Sequence, residues 1–294
     1  MQSLLATFDI FLLEAIVNGI LLGGLFALLS LGLNLIFGVI DVVWICYAEL
    51  IMVGMYAIWW MHLPQGLSLW IAFPAALLLI GMLGAALHYF IIRPVLGAEP
   101  INQLLVTGGV LFFLQALATV TFGVEFRSLG VQMPGFSVAD MYLSSSRLLS
   151  FAVAIAAIGM TWWFLSKTFT GVAIRAISQD RAIMPLMGVN PNRVYLVTSA
   201  IGGVLAGLAA CLLVLQYDIH PAIGLTFGPL TFLICVMGGL GNLVGGFVAS
   251  FIFAQFISVG GFLLHLEWGY VLAFVFFIAM MFWRPQGLLS RKAG

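Results

Sequence analysis

Charge is what this sequence has least of. Only 7% of its 294 residues are charged, ten basic and ten acidic, where soluble domains carry roughly 25%. That shortage excludes an ordinary water-soluble domain, and the zero balance gives no sign of nucleic acid or an acidic partner. Cysteine is as scarce. Cys46, Cys211 and Cys235 lie in apolar segments without CxxC spacing, so they read as small buried hydrophobes, not as disulfide partners or metal ligands. There is no Walker A motif, no GxGxxG after a strand, no GxSxG and no pair of catalytic acids. His62, His88, His220 and His265 show no HExxH pairing and read as interfacial histidines. No catalytic residue, metal or cofactor is assigned, and energy for any uphill transport must come from elsewhere. A basic n-region is also missing before the first apolar run, which opens Met1-Gln2-Ser3-Leu4-Leu5, so the first span itself is expected to direct insertion. No polar stretch is long enough to bury a soluble core.

What is abundant is apolar sequence. Hydrophobic residues make up 64% of the chain and the mean hydropathy is +1.21. The runs are continuous, unlike the short alternating segments of a barrel. The predicted class is therefore all-α: a polytopic helical membrane protein with about eight or nine membrane segments, forming one transmembrane domain over 1–294. The predicted spans are 11–37, 42–60, 67–92, 101–122, 148–165, 195–215, 225–237, 243–264 and 269–282. The first is longer than one crossing needs and is expected to tilt or break near Ser30–Gly32. Asn190 and Pro191 mark the start of the sixth.

The polar island 167–194 breaks this pattern. Lys167, Arg175, Arg181 and Arg193 place four of the ten basic residues there, which puts the loop on the cytoplasmic side. Counting spans outward from it places Arg93 and the basic tail (Arg284 to Arg291 and Lys292) inside. The 123–147 stretch, with Gln132 and Asp140, then falls outside, as do 218–221, 265–268 and the N-terminus. Within the island, 173–187 reads as helix closed by Pro185 and Gly188, with Ile177, Met184 and Met187 as apolar knobs. Such an element can dock into a groove on a soluble ATPase; equally, it can be a surface loop lying against lipid headgroups.

Ionisable residues inside the spans are few: Glu14, Glu49 and, near a span end, Asp41. A carboxylate at membrane depth costs about 2.5–3.5 kcal/mol on insertion scales. Glu49, the deepest, is thus either a pathway residue or a hydrogen-bonded strut between helices. Glycine-interrupted segments at 32–38 and 238–246 have the look of broken helices lining a path. Gly19, Gly23, Gly202, Gly203 and Gly207 read instead as close-packing positions.

Three blocks carry a resemblance: Gly32-Leu33-Asn34-Leu35-Ile36-Phe37-Gly38-Val39-Ile40, then Arg175-Ala176-Ile177-Ser178-Gln179-Asp180-Arg181 continuing to Met187-Gly188-Val189-Asn190-Pro191-Asn192-Arg193-Val194-Tyr195, and Gly238-Gly239-Leu240-Gly241-Asn242. Together they resemble the branched-chain amino acid ABC permease family, specifically its LivH-like subunit, over nearly the whole chain. The resemblance implies a permease of the inner membrane that pairs with a second permease subunit. It also implies two ATPase subunits on the cytoplasmic face and a periplasmic substrate-binding protein. On this resemblance the coupling loop comprises Ser178, Gln179, Asp180, Arg181, Met184, Pro185, Leu186, Met187 and Gly188, with Arg175 in the same motif. Asn34, Trp44, Tyr47, Glu49, Gly238, Gly239, Gly241 and Asn242 are placed near the translocation path. One departure stands out: the family's Val-Asn-Phe-Ala-His-Gly-Glu reads Val43-Trp44-Ile45-Cys46-Tyr47-Ala48-Glu49 here. Glu is kept while Asn, His and Gly are replaced, so the amino acid substrate does not transfer by similarity, and an amide or organic acid is as compatible. The other function class is a stand-alone carrier driven by protons or sodium, with Glu49 as the coupling carboxylate. Sidedness is checked by cysteine substitution at Arg175 and Arg181. Membrane-impermeant label is expected to reach both from the cytoplasm, and labelling from outside would reverse the topology.

Overall fold

The structure is a computed structural model that describes residues 2–131, 134–138, 141–181 and 183–289. Arg291 and Lys292 of the basic tail, and Gln132 and Asp140 of the outer stretch, lie outside the described residues. Among the described residues eleven α-helices follow one another: α1 Gln2–Ile40, α2 Tyr47–His62, α3 Leu69–Leu87, α4 Arg93–Val95, α5 Pro100–Phe122, α6 Ser145–Lys167, α7 Phe169–Gln179, α8 Pro191–Leu213, α9 Ile223–Gly238, α10 Leu243–Leu263 and α11 Leu266–Trp283. A π-helical turn, His88–Ile92, joins α3 to α4. A short hairpin, Phe136–Val138 against Met141–Leu143, is antiparallel and precedes α6. Helices dominate because lipid offers the backbone no partner, so each N–H must find its carbonyl within the segment.

Six of the helices are long and apolar enough to cross a membrane. α2 and α9 have sixteen residues each, about 24 Å, which falls short of the ~30 Å hydrocarbon core. α1 is the axis of the bundle. Its Leu25, Leu28, Leu29 and Ile36 are almost wholly buried, and α6, α8, α9 and α10 pack against it.

The expected break near Ser30–Gly32 does not occur: α1 is continuous through to Ile40. Its glycines serve contact rather than bending. Gly32 gives room to the Tyr47 ring and Gly38 lies against the Cα of Gly241. The irregular backbone falls later, at 41–46, across the start of the predicted second span. These residues stay buried (Val42, Trp44 and Cys46), and the Thr107 hydroxyl donates to the Val43 carbonyl at 3.0 Å. The interruption at 238–246 is real. α9 stops at Gly238, and Gly239 and Gly241 take φ of +97° and +80°, values that glycine adopts without Cβ strain.

The helix expected over 173–187 is also corrected. α7 ends at Gln179, and a separate 3₁₀ turn covers Met184–Met187. The Asp180 carboxylate accepts from the Ile183 N–H at 3.1 Å, a local bond that competes with helix, and Pro185 removes a backbone donor. At α8 the Asn190 side chain accepts from Asn192 N at 3.1 Å, and Pro191 occupies the first turn.

The two ends of the bundle agree with the charge count. At one end Arg181 meets Asp41, His88 packs on Tyr195, and the Leu288 N–H donates to Met237 O. At the other, Arg127 and Ile219 exchange backbone hydrogen bonds of 2.9 and 2.7 Å, and Arg147 reaches Asn18.

Small residues set the closest approaches. A Cβ on Gly238 would run into the backbone of Gly245 and Gly246, whereas Gly109 has open space around it. Gly238→Ala is expected to cost about 1–3 kcal/mol through overpacking. Gly109→Ala is expected to be neutral or to stabilise by up to about 1 kcal/mol. Thermal unfolding of the detergent-purified protein checks both.

Candidate functional site

Two zones hold the candidate residues. The first is an apolar chamber of about 350 Å³ between the irregular stretch 43–45, the start of α2, the middle of α5 and the outer half of α9. Trp44 and Tyr47 line it, facing Gly224, Gly228 and Phe232. Both aromatic side chains are buried, and neither the Trp44 Nε1 nor the Tyr47 hydroxyl has a hydrogen-bond partner. Glu49 is not part of the wall. It is fully buried between α2 and α9, with its carboxylate against Gly224 and no hydrogen-bond partner on either oxygen. That position is the first turn of α9, whose Ile223 and Leu225 N–H groups donate to His220 O and Ala222 O and not to the carboxylate.

The short length of α9 is what makes this possible. Its first turn follows the outer bridge at Ile219 by four residues and is buried at Ile223, so a helix terminus and a carboxylate meet inside the protein. Above them Tyr56 stacks on Phe122 at 4.4 Å and the Arg127 guanidinium lies 4.2 Å from the Trp59 ring centroid. Outside the spans, His220 packs on Phe126 at 4.7 Å. Burial pulls its imidazole below the ordinary range, and Asp218 pulls the other way.

The second zone is at the basic end. Clefts of about 650 and 690 Å³ separate the end of α1 and the 239–242 loop from α7. Asn34 is buried in α1 and accepts from the Gly241 N–H at 3.1 Å. Asn242 caps α10 through Gly245 N at 3.0 Å and donates to Leu289 O at 2.9 Å. Arg175, Ser178 and Gln179 line the facing wall. Asn34, Gly239, Gly241 and Asn242 are therefore brought together, but apart from Trp44 and Tyr47. Leu33 faces the chamber and Asn34 the cleft.

The segment from α7 to α8 presents a sharply divided surface. Ala173, Ile174 and Ile177 are buried against the bundle. Ile177 is thus an anchor and not an outward knob, since it sits on the inner face of a strongly amphipathic helix. Ile183, Leu186 and Met187 point out, the last two 84% and 74% exposed. Met184 is half-buried, while Asp180, Arg181, Pro185 and Gly188 are exposed. Gly188 takes φ +78° to turn the chain toward α8. Several residues of these zones gave no strong sequence signal, among them Thr107, Gly224 and Gly228. The Pro229 inside a short apolar segment was the available hint for α9.

A sequence model described as the permease component of the branched-chain amino acid transport system matches residues 15–281. The chain belongs to that family. The permease BraD of Pseudomonas aeruginosa is 27% identical, the alignment covering 95% of this chain and 96% of that one. LivH of Escherichia coli is 26% identical over 96% of both chains. LivM of the same bacterium is 24% identical over 90% of this chain and 68% of its own. Among solved structures, PsaBC from Streptococcus pneumoniae in complex with Fab shares the fold. Its TM-score is 0.53 at 14% identity, covering 92% of this chain and 91% of that chain.

In this permease the Asn34–Gly241 bond ties α1 to the glycine loop between two helices. Asn34→Ala removes the acceptor and leaves a gap beside Gly246. A loss of about 1–2 kcal/mol is expected, read as a lower unfolding temperature and faster proteolysis of the 239–242 loop.

Proposed function

We propose that this chain is one transmembrane half of an ATP-driven importer in the bacterial inner membrane. A second permease completes the pathway, two ATPase subunits bind the basic end, and a periplasmic binding protein delivers a small polar or carboxylate solute. The permease itself is not an enzyme, and ATP hydrolysis belongs to the ATPase subunits. Membership of the permease family supports this reading, as does the similarity to both LivH and LivM, two different permeases of one bacterium.

The observation that carries the coupling role is the segment 180–188. It projects from the basic end with Leu186 and Met187 exposed, while Ile174 and Ile177 root α7 in the bundle. Exposed apolar knobs on a rooted lever suit a groove on a soluble partner. Movement of the ATPases would then shift α6 and α8 and alternate access to the path. Trp44 and Tyr47 form the wall that a passing solute meets, and Glu49 packs against the start of α9 beside it. Where the family pattern has Asn and His, these two aromatic rings leave an apolar wall, which suits a branched or aromatic body on the solute. Asn34 and 238–242 line the exit toward the basic end.

A carrier driven by protons or sodium would instead use Glu49 and need no nucleotide. Reconstitution separates the two readings. Asp180→Ala with Arg181→Ala is expected to abolish uptake while the assembled complex still hydrolyses ATP. Leu186→Asp is expected to release the ATPase subunits during purification. Normal uptake by both variants, or uptake by the purified chain alone, would reject the importer.

A further inference from the structure

Asp41 stands at the junction of the two zones. Its N–H closes α1 on the Phe37 carbonyl at 2.8 Å. Its φ of +61° makes it the one non-glycine with positive φ among the described residues. Left-handed backbone at a residue with a Cβ persists where surrounding contacts hold it, and Asp tolerates it better than most. The carboxylate lies 3.5 Å from the Arg181 guanidinium, 140 residues on in the coupling segment. On its other side the chain enters the irregular stretch 42–46. Three residues beyond Asp41 is Trp44, and with Ile45 it forms the chamber wall.

We propose that Asp41 is a positioning residue through which the coupling segment moves the chamber wall. The proposal rests on the coupling role of 180–188 and adds the route by which that motion reaches the path. A pull on Arg181 acts on the Asp41 carboxylate. The backbone there is already off the helical path, so the α1 axis need not move for 42–46 to swing. Thr107 holds Val43 and the buried Tyr47 starts α2, so the displacement concentrates between them, at Trp44 and Ile45. The competing route runs through Ile174 and Ile177, which pack α7 into the bundle directly and make the ion pair a bystander. The pair is 41% and 62% exposed on its two sides, so its loss alone should leave folding nearly intact.

The test uses the whole complex, with both permeases, the ATPases and the binding protein in proteoliposomes. Ile45→Cys places a thiol on the chamber wall, and its maleimide labelling rate is compared with and without ATP plus vanadate. Asp41→Asn keeps the left-handed backbone and removes the charge. Asp41→Gly keeps the backbone freedom and removes the side chain. Arg181→Ala removes the other partner without touching α1. With Asp41 and Arg181 intact, nucleotide should change the labelling rate. In each of the three variants that response should shrink about 5-fold or vanish, while in the two Asp41 variants ATPase activity stays within about twofold. Asp41→Asn combined with Arg181→Ala should be no worse than either alone, because both remove one link.

A nucleotide response that survives in Asp41→Asn and Arg181→Ala overturns the proposal, as does a parent complex whose Ile45 thiol never responds. Leu186→Asp separates this failure from that of the coupling role. If it abolishes the response while the Asp41 variants keep it, the segment couples by another route. If it too leaves the response intact, the coupling role itself falls.

Discussion

A backbone amide in hydrocarbon has no water to turn to, and that constraint shapes everything here. Most of the chain meets it by folding as helix. Two irregular stretches of the bundle, 41–46 and 239–242, are each supported by a side chain from elsewhere: Thr107 on Val43 and Asn34 on Gly241. Asp41, Leu240 and Gly241 also line one cleft with residues 177–181. Irregular backbone at membrane depth is tolerated where protein surrounds it, and such places are free to change shape.

The burial of Glu49 follows the same logic. A carboxylate with no hydrogen-bond partner would be costly in the interior, yet it sits at the start of a sixteen-residue helix that begins inside the bundle. The carboxylate packs against Gly224 in the first turn of that helix. The short helix, the close-packed Gly224 and the acid therefore form one feature.

The segment at the basic end has two contrasting faces. Ile174 and Ile177 are sunk in the bundle, while Leu186 and Met187 stand in the open. Between them Asp180 turns the chain by binding Ile183 N–H. One continuous helix over this stretch would have rotated the apolar residues around a single axis. Breaking it lets the inner set root the segment while the outer set stays exposed.

Composition alone determined that the chain crosses the membrane many times, because 7% charge cannot clothe a soluble surface. The clustering of Lys167, Arg175, Arg181 and Arg193 marked the end that Asp41, Arg93 and the tail share. The glycines at 238–241 marked a true interruption, since positive φ demands that residue. Other features belong to tertiary structure alone. Gly32 and Gly38 looked like break points but are contact points, which depends on Tyr47 and Gly241 arriving from other segments. The break at Asp41 carries no glycine or proline to announce it, and its partner Arg181 is 140 residues away. Local sequence reports what a backbone can do on its own; where two distant segments press on each other, only their packing decides which of those options is taken.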